Sequence, residues 1–325
     1  MFKKKIFILG NIYDEFCLDE LNRDTIICTQ KFDHWTSLKK KTKHKVKFVL
    51  LEKKETILNS DVILYFWPNS KIEAIFHLKY IFSILSEKHS IFLIGEKNSG
   101  INTARSLLKK WIQLKKIDSA KHCFLFEGKI ILKPKFQFDT FIHNNIWNKI
   151  NINTIPGIFS YNKVDIGSQL LISTFTKSIR GNVLDIGCGS GILSASLMKY
   201  SNYVTLTLVD INIAALRSSE LTLKANNIIG NIYPSNIYSN INEKFDLIIS
   251  NPPIHKNFKI NLNYIKEIIK NSVKYLTKKG EIRIVINSSI SCHKIFKYTF
   301  SKYNILKENN NFKVYQAYKI YKKLN

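Results

Sequence analysis

Residues Val183 to Gly191 read VLDIGCGSG, and their reading decides the fold. The apolar run from Asn182 to Ile186 is short and ends at a glycine, the pattern of a buried strand. It delivers Asp185 just ahead of Gly187, Gly189 and Gly191. Glycine at these places lets the backbone turn tightly and approach a ligand closely. The next stretch, ILSASLMKY (Ile192–Tyr200), has a helical pattern. Two ligand classes are disfavoured by spacing. The dinucleotide fingerprint needs a glycine three places after its second glycine, and Ile192 stands there. No Gly-Lys-Ser/Thr follows, so a phosphate-cradling P-loop is excluded.

Outward from this stretch the second half alternates strands and helices. VTLTLVD ends at Asp210, and Ile213–Asn226 has helical spacing. A short strand is expected around Ile232–Tyr233, and FDLIIS (Phe245–Ser250) reads as another. The spacing predicts a helix over 260–276, with Gly280 as its C-terminal cap. EIRIVIN is a strand, and YNILKENNNFKVYQAYK reads as a hairpin around an Asn-rich turn. Such alternation implies parallel pairing with right-handed crossovers, closed by an antiparallel hairpin.

The first half echoes the second. A first strand is expected near the N-terminus. DVILYFWPN runs into Trp67-Pro68 as FDLIISNPP runs into Asn251-Pro252-Pro253. In both a helix of about five turns is expected, and then a buried strand. The echo points to an internal duplication whose first copy lacks the glycine-rich loop. Two unrelated α/β domains would give a similar order. The polar stretch His143–Lys163 is the expected junction, dividing the chain into 1–150 and 151–325.

Of the 325 residues 45% are apolar, enough for a substantial core. No apolar run is long enough to span a bilayer. The five cysteines form no CxxC pair and the histidines no metal-ligand spacing, so no metal site is expected and a reducing cytoplasm fits. His255 reads as a loop residue. The net charge of +26 points to a polyanionic partner. Only five of the 50 basic residues are arginine, a bias that AT-rich coding DNA also produces, so part of the charge reflects composition alone. The run KKKTKHKVK, Lys39–Lys47, reads as a solvated loop.

The glycine spacing resembles the first motif of class I methyltransferases that use S-adenosylmethionine. Gly187, Cys188, Gly189 and Gly191 would then form the cofactor turn, with Asp185 beside it and Asn251 as a further cofactor contact. Asp210 ends the next strand, where an acid accepts bonds from ribose hydroxyls; capping the following helix is the alternative. Asn236, after the third strand, lies where the resemblance places an adenine contact, and a local turn role competes there. The prolines constrain Asn251 at a strand exit. The Asn251 side-chain oxygen and the Pro252 carbonyl can accept the hydrogens of a weakly nucleophilic amine and hold it in line, with Pro253 fixing the turn. A side-chain amide nitrogen would suit the same pocket.

The segments PGIFSYNKVDIGSQLLIST, VLDIGCGSGILS, LTLVDIN, FDLIISNPPIH, GEIRIVIN and FKVYQAY, with FDHW, YFWPNSKIEA, IFLIGEKNSGI and KIDSAKHC in the first half, resemble the ribosomal RNA small subunit methyltransferase C family. The resemblance covers nearly the whole chain. It implies two tandem Rossmann-like class I methyltransferase domains, each a mostly parallel seven-stranded sheet closed by an antiparallel hairpin, the first degenerate and serving folding or RNA binding. It implies N2-methylation of one guanosine of 16S rRNA in the small ribosomal subunit, with S-adenosylmethionine as cofactor. Apart from the resemblance, a monomer without membrane association is expected. The family places an aromatic residue after Asn-Pro-Pro; here Ile254 stands there, so Ile254 or Phe258 is expected to pack on the base. A protein glutamine methyltransferase and an RNA-binding assembly factor without turnover are the competing readings.

Overall fold

Two seven-stranded sheets with one shared strand order build the chain. The computed structural model describes residues 4–12, 24–253, 255–256, 259–260 and 262–319. It divides into two units, Met1–Ile142 and His143–Asn325.

In the first unit the strands are β1 (Ile6–Gly10), β2 (Ile26–Thr29), β3 (Lys45–Phe48), β4 (Val62–Phe66), β5 (Ser90–Glu96), β6 (Ile112–Ala120) and β7 (Cys123–Ile130). Their order is β3-β2-β1-β4-β5-β7-β6. The first five pair in parallel and β7 is antiparallel to both β5 and β6. Helices α1 (Phe32–Lys41), α2 (Lys54–Leu58), α3 (Lys71–Ile84) and α4 (Ala104–Leu108) connect them. Ser70 caps the start of α3: its Oγ accepts from the Glu73 N–H at 3.3 Å. With 14 residues α3 makes about four turns, one fewer than expected. Trp67 follows β4 and is 1% exposed, packed so closely on the neighbouring strand that a Cβ on Gly95 would lie 2.7 Å from the Trp67 Cβ.

The second unit opens with the hairpin β8 (His143–Trp147) and β9 (Ile150–Thr154), where the sequence pointed only to a polar junction. The hairpin is locked to α7 (Ile213–Ala225) by polar side chains four apart on one helix face. Ser218 Oγ accepts from the Ile155 N–H at 3.1 Å and Thr222 Oγ1 from the Asn153 N–H at 3.0 Å. Asn226 accepts from the Asn151 N–H at 3.0 Å and donates to its carbonyl at 2.7 Å. The free backbone groups of β9 are thereby paired.

The remaining elements of this unit are α5 (Ile166–Ile172), β10 (Gly181–Ile186), α6 (Ile192–Tyr200), β11 (Val204–Asp210), β12 (Asn231–Pro234), β13 (Phe245–Ser250), the two-residue strands β14 (His255–Lys256) and β15 (Lys259–Ile260), α8 (Leu262–Tyr275), β16 (Leu276–Asn287), α9 (His293–Phe300), β17 (Asn304–Glu308) and β18 (Phe312–Tyr318). The sheet order is β12-β11-β10-β13-β16-β18-β17, parallel through β16 and closed by antiparallel β18 and β17. Its core includes Leu184, Ile248, Ile268, Ile284 and Phe296.

Gly280 is not a helix cap. Helix α8 ends at Tyr275 and Leu276 already pairs with Phe245, while Glu281 pairs with Leu247. Residues 277–280 bulge between the two pairings, with Lys279 at φ 67°. A Cβ on Gly280 would meet the Phe245 carbonyl oxygen at 2.9 Å, so close backbone approach requires the glycine.

Candidate active site

Register brings the site together. Ile186 pairs with both Val209 and Ser250, and Ser250 Oγ donates to the Ile186 carbonyl at 2.8 Å. The next residues along the three strands, Gly187, Asp210 and Asn251, therefore stand side by side at the carboxyl edge of the sheet. That edge is where open α/β sheets hold ligands.

Gly187, Gly189 and Gly191 have φ of 71°, 55° and 76°, the left-handed region that other residues enter at a cost. The turn is pinned by the Gly187 and Cys188 N–H groups, which donate to the Val209 carbonyl at 2.8 and 3.1 Å. The glycines do different work. A Cβ on Gly187 would have no neighbour nearer than the Tyr264 hydroxyl at 3.9 Å, and one on Gly189 none nearer than the Gly187 carbonyl at 4.0 Å. These two border open space. A Cβ on Gly191 would press the Ser219 Cα at 3.1 Å, so Gly191 serves the packing of α6 against α7.

Two carboxylates flank the turn. Asp185 is wholly buried; its Oδ2 accepts from Ser194 Oγ at 2.7 Å and its Oδ1 has no partner. Burial raises its pKa to about 7, with Asp210 adding to the rise and the Ser194 hydroxyl opposing it. Asp210 Oδ2 accepts from the Gly189 N–H at 3.1 Å and Oδ1 from the Asn212 N–H at 2.9 Å. Burial raises this carboxyl too, against the N–H groups of Asn212, Gly189 and Ile211. The cap of α7 is Asn212, whose Oδ1 accepts from the Ala214 N–H at 2.9 Å. Asp210 is thus left to brace the glycine turn, with lone pairs to spare.

Asn251 is half-buried, and its amide is oriented from behind. Nδ2 donates to Asp165 Oδ1 at 2.8 Å and to Ser168 Oγ at 2.9 Å. Both amide hydrogens are used there, which assigns Oδ1 as the acceptor left for a ligand. Asp165 is itself the N-cap of α5, accepting from the Ser168 N–H at 3.0 Å. A Cβ on Gly167 would come within 3.2 Å of Asn251 Oδ1, so this glycine keeps the acceptor clear. Pro252 is buried and Pro253 exposed.

Over 316 residues the chain is 51% identical to the ribosomal RNA small subunit methyltransferase C of Buchnera aphidicola subsp. Baizongia pistaciae, covering 97% of each chain. The Erwinia tasmaniensis protein of that name is 37% identical over 317 residues, 98% of this chain and 93% of that one. The chain belongs to the ribosomal RNA small subunit methyltransferase C family. The Methyltransferase small domain N-terminal family matches residues 1–145, and the Methyltransferase small domain family matches 149–316. Among solved structures, the fold is similar to that of a T. thermophilus 16S rRNA N2 methyltransferase in complex with AdoMet and guanosine (TM-score 0.84, 18% identity, 98% of this chain and 89% of that one).

Within this member of the methyltransferase C family, the other expected residues are placed unevenly. Asn236 is exposed past β12, its N–H donating to Ser239 Oγ at 2.9 Å in a turn. Cys188 contributes its backbone to the turn, while its thiol is buried and accepts from Ser219 Oγ at 3.2 Å. Ile254 and Phe258 lie outside the described residues. Asp165 and Ser168 had no role in the sequence reading. An Asp ahead of the apolar positions Ile166, Leu170 and Leu171 is the signal that could have shown the cap. In the first unit, Trp67 holds the place after β4 that Asn251 holds after β13, so a buried indole stands where the second unit presents an amide.

Proposed function

We propose that this chain methylates the exocyclic N2 of one guanosine of 16S rRNA in the small ribosomal subunit, using S-adenosylmethionine, and acts as a cytoplasmic monomer. The observation that carries the reading is the anchored amide of Asn251 beside an open glycine turn. The residues fit the cofactor. Gly187 and Gly189 border space that any side chain would fill, and a buried carboxylate oxygen of Asp185 faces no protein partner. Gly187, Cys188, Gly189 and Gly191 would hold it through the backbone, Asp185 and Asp210 through their carboxylates, and Asn236 at the adenine end. When bound, S-adenosylmethionine supplies a methyl group made electrophilic by its sulfonium sulfur.

The protein's part is to aim the acceptor. The lone pair of an exocyclic amine is delocalised into the base, so the amine is a poor nucleophile. Asn251 Oδ1 and the Pro252 carbonyl accept its two hydrogens, fix its direction and stabilise the positive charge that grows on nitrogen. Asp165 draws on the far end of the same amide, and hydrogen bonds in series polarise one another. No dedicated base is needed, because the amine proton turns acidic as the new bond forms. The base must leave its stack to reach this edge. The first unit, with Trp67 at the corresponding edge, serves folding or RNA binding without a cofactor site of its own.

The test is methyl transfer from labelled cofactor to small subunits, naked 16S rRNA or release factors. Label in guanosine N2 of the RNA is expected. Label in protein and none in RNA overturns the assignment in favour of a glutamine amide as acceptor.

A further inference from the structure

Tyr264 overhangs the open glycine turn, and none of the preceding chemistry uses it. It is the third residue of α8, in the helix's first turn. The helix buries Ile265, Ile268 and Ile269. The half-buried Tyr264 packs against the core that these residues share with Leu184, Ile186 and Tyr238. Its hydroxyl reaches the carboxyl edge of the sheet. A Cβ built on Gly187 would lie 3.9 Å from Tyr264 Oη, and among the described residues no other atom comes within 4 Å of that point, chain neighbours aside. A tyrosine with an apolar body against the core and a polar tip at a wet rim suits such a place.

The space above Gly187 is rich in acceptors and short of donors. The turn uses its own N–H groups internally: Gly187 and Cys188 donate to the Val209 carbonyl, Gly189 to Asp210, and Gly191 to the Cys188 carbonyl at 2.8 Å. The side chains around it offer oxygen lone pairs. Asp185 Oδ1 is unpartnered, Asp210 has lone pairs left, and the Asn251 amide uses both hydrogens on Asp165 and Ser168. Such a set attracts cations and hydroxyls and repels a carboxylate. S-adenosylmethionine brings ribose hydroxyls, a sulfonium and an ammonium, but also one carboxylate. The sheet order β12-β11-β10-β13 sets Asn236, Asp210, Gly187 and Asn251 in a row at or just past the strand ends. With adenine at Asn236, ribose at Asp210 and the methyl group aimed at Asn251, the amino-acid end falls over Gly187.

We propose that the Tyr264 hydroxyl donates a hydrogen bond to the carboxylate at the amino-acid end of the cofactor. The inference rests on the cofactor placement proposed above and names the group that holds its acidic end among acceptors. A phenol supplies one O–H donor that rotates to suit its partner. A hydrogen bond to an ionised acceptor is stronger than one between neutral groups. The same bond fixes the tail of the cofactor and so helps to hold the sulfonium in line with Asn251. Packing against Ile265 and Ile268 asks only for the ring, which Tyr264→Phe keeps.

The experiment measures by calorimetry how full-length parent protein and Tyr264→Phe bind two ligands. One is S-adenosylmethionine and the other its decarboxylated form, which keeps the nucleoside, the sulfonium and the ammonium. Losing a hydrogen bond to a charged group costs about tenfold or more in affinity. Tyr264→Phe is therefore expected to bind S-adenosylmethionine about tenfold or more weakly than the parent does. The two proteins should bind the decarboxylated form within about twofold of each other, because it offers the hydroxyl no carboxylate. The melting temperature without ligand should hold. Equal losses for the two ligands, or an unchanged affinity for S-adenosylmethionine, overturn the proposal and leave Tyr264 a packing residue. If binding follows the expected pattern but the parent transfers no methyl group to 16S rRNA, the proposed activity fails and the role of Tyr264 stands.

Discussion

The Gly189 N–H donates to Asp210 Oδ2 at 3.1 Å, tying the glycine turn after β10 to the end of β11. The same carboxylate therefore shapes the turn, and in the proposed function it also contacts the cofactor. Asp210→Ala is expected to weaken S-adenosylmethionine binding by tenfold or more in calorimetry, with a smaller effect on kcat at saturating cofactor. A loss confined to kcat would mean that Asp210 acts on the acceptor instead.

Asn251→Ala should do the reverse. Removing one preorganised acceptor from a developing charge typically costs about 10²–10³ in kcat. Cofactor affinity should stay within about twofold, because the proposed role of the amide is toward the amine. Parallel losses in kcat and cofactor affinity would count against the assigned role.

Asp165 tests whether the orientation of that amide matters. Asp165→Ser keeps an oxygen able to cap α5 and shortens the side chain that holds Asn251 Nδ2. The expected result is a kcat lower by about tenfold or more, with the melting temperature and cofactor affinity nearly unchanged. A variant that loses stability but keeps kcat would reduce Asp165 to a helix cap.

The glycines separate open space from packing space. Gly187→Ala and Gly191→Ala both place a side chain at positive φ, a strain of about 1 kcal/mol or more. Only Gly191→Ala also presses α7, and overpacking adds about 1–3 kcal/mol. Chemical denaturation should find Gly191→Ala the less stable of the two. Gly187→Ala should lose cofactor affinity out of proportion to its stability.

Asp185 gives the fold a pH dependence of defined sign. Its pKa rises from 3.8 to about 7 on folding, so between those values the native state keeps a proton that the unfolded chain has released. Its contribution to stability is full below about pH 4 and is lost as pH rises towards 7, by on the order of 4 kcal/mol at most. Urea midpoints of the cofactor-free protein, compared with those of Asp185→Asn across this range, isolate the effect. A difference that is flat with pH would show that the carboxyl titrates normally.

The parts of the site that lie next to one another in sequence were legible in it. VLDIGCGSG announced strand, turn and helix, and the strand-end positions of Asp210 and Asn251 followed from the apolar runs before them. The shared strand order of the two sheets was foreshadowed by Trp67-Pro68 and Asn251-Pro252. What depends on distant partners was not legible: Asp165 meets Asn251 across 86 residues, and no local pattern records that meeting. Gly280 misled because glycine after a helix is usually a cap, whereas here the strand begins at once and the glycine relieves a backbone contact. The hairpin at 143–154 was hidden by its polar composition, since α7 meets it with hydroxyl and amide side chains in place of apolar ones.

The lock between β9 and α7 also dictates where the chain can be cut. A shortened protein intended to carry the second sheet alone has to begin upstream of His143. Starting at Ile155 would strand Thr222 and Asn226 and bare the outer flank of the helix that packs on Gly191. Such a truncation would loosen the glycine turn from behind without touching a residue of it.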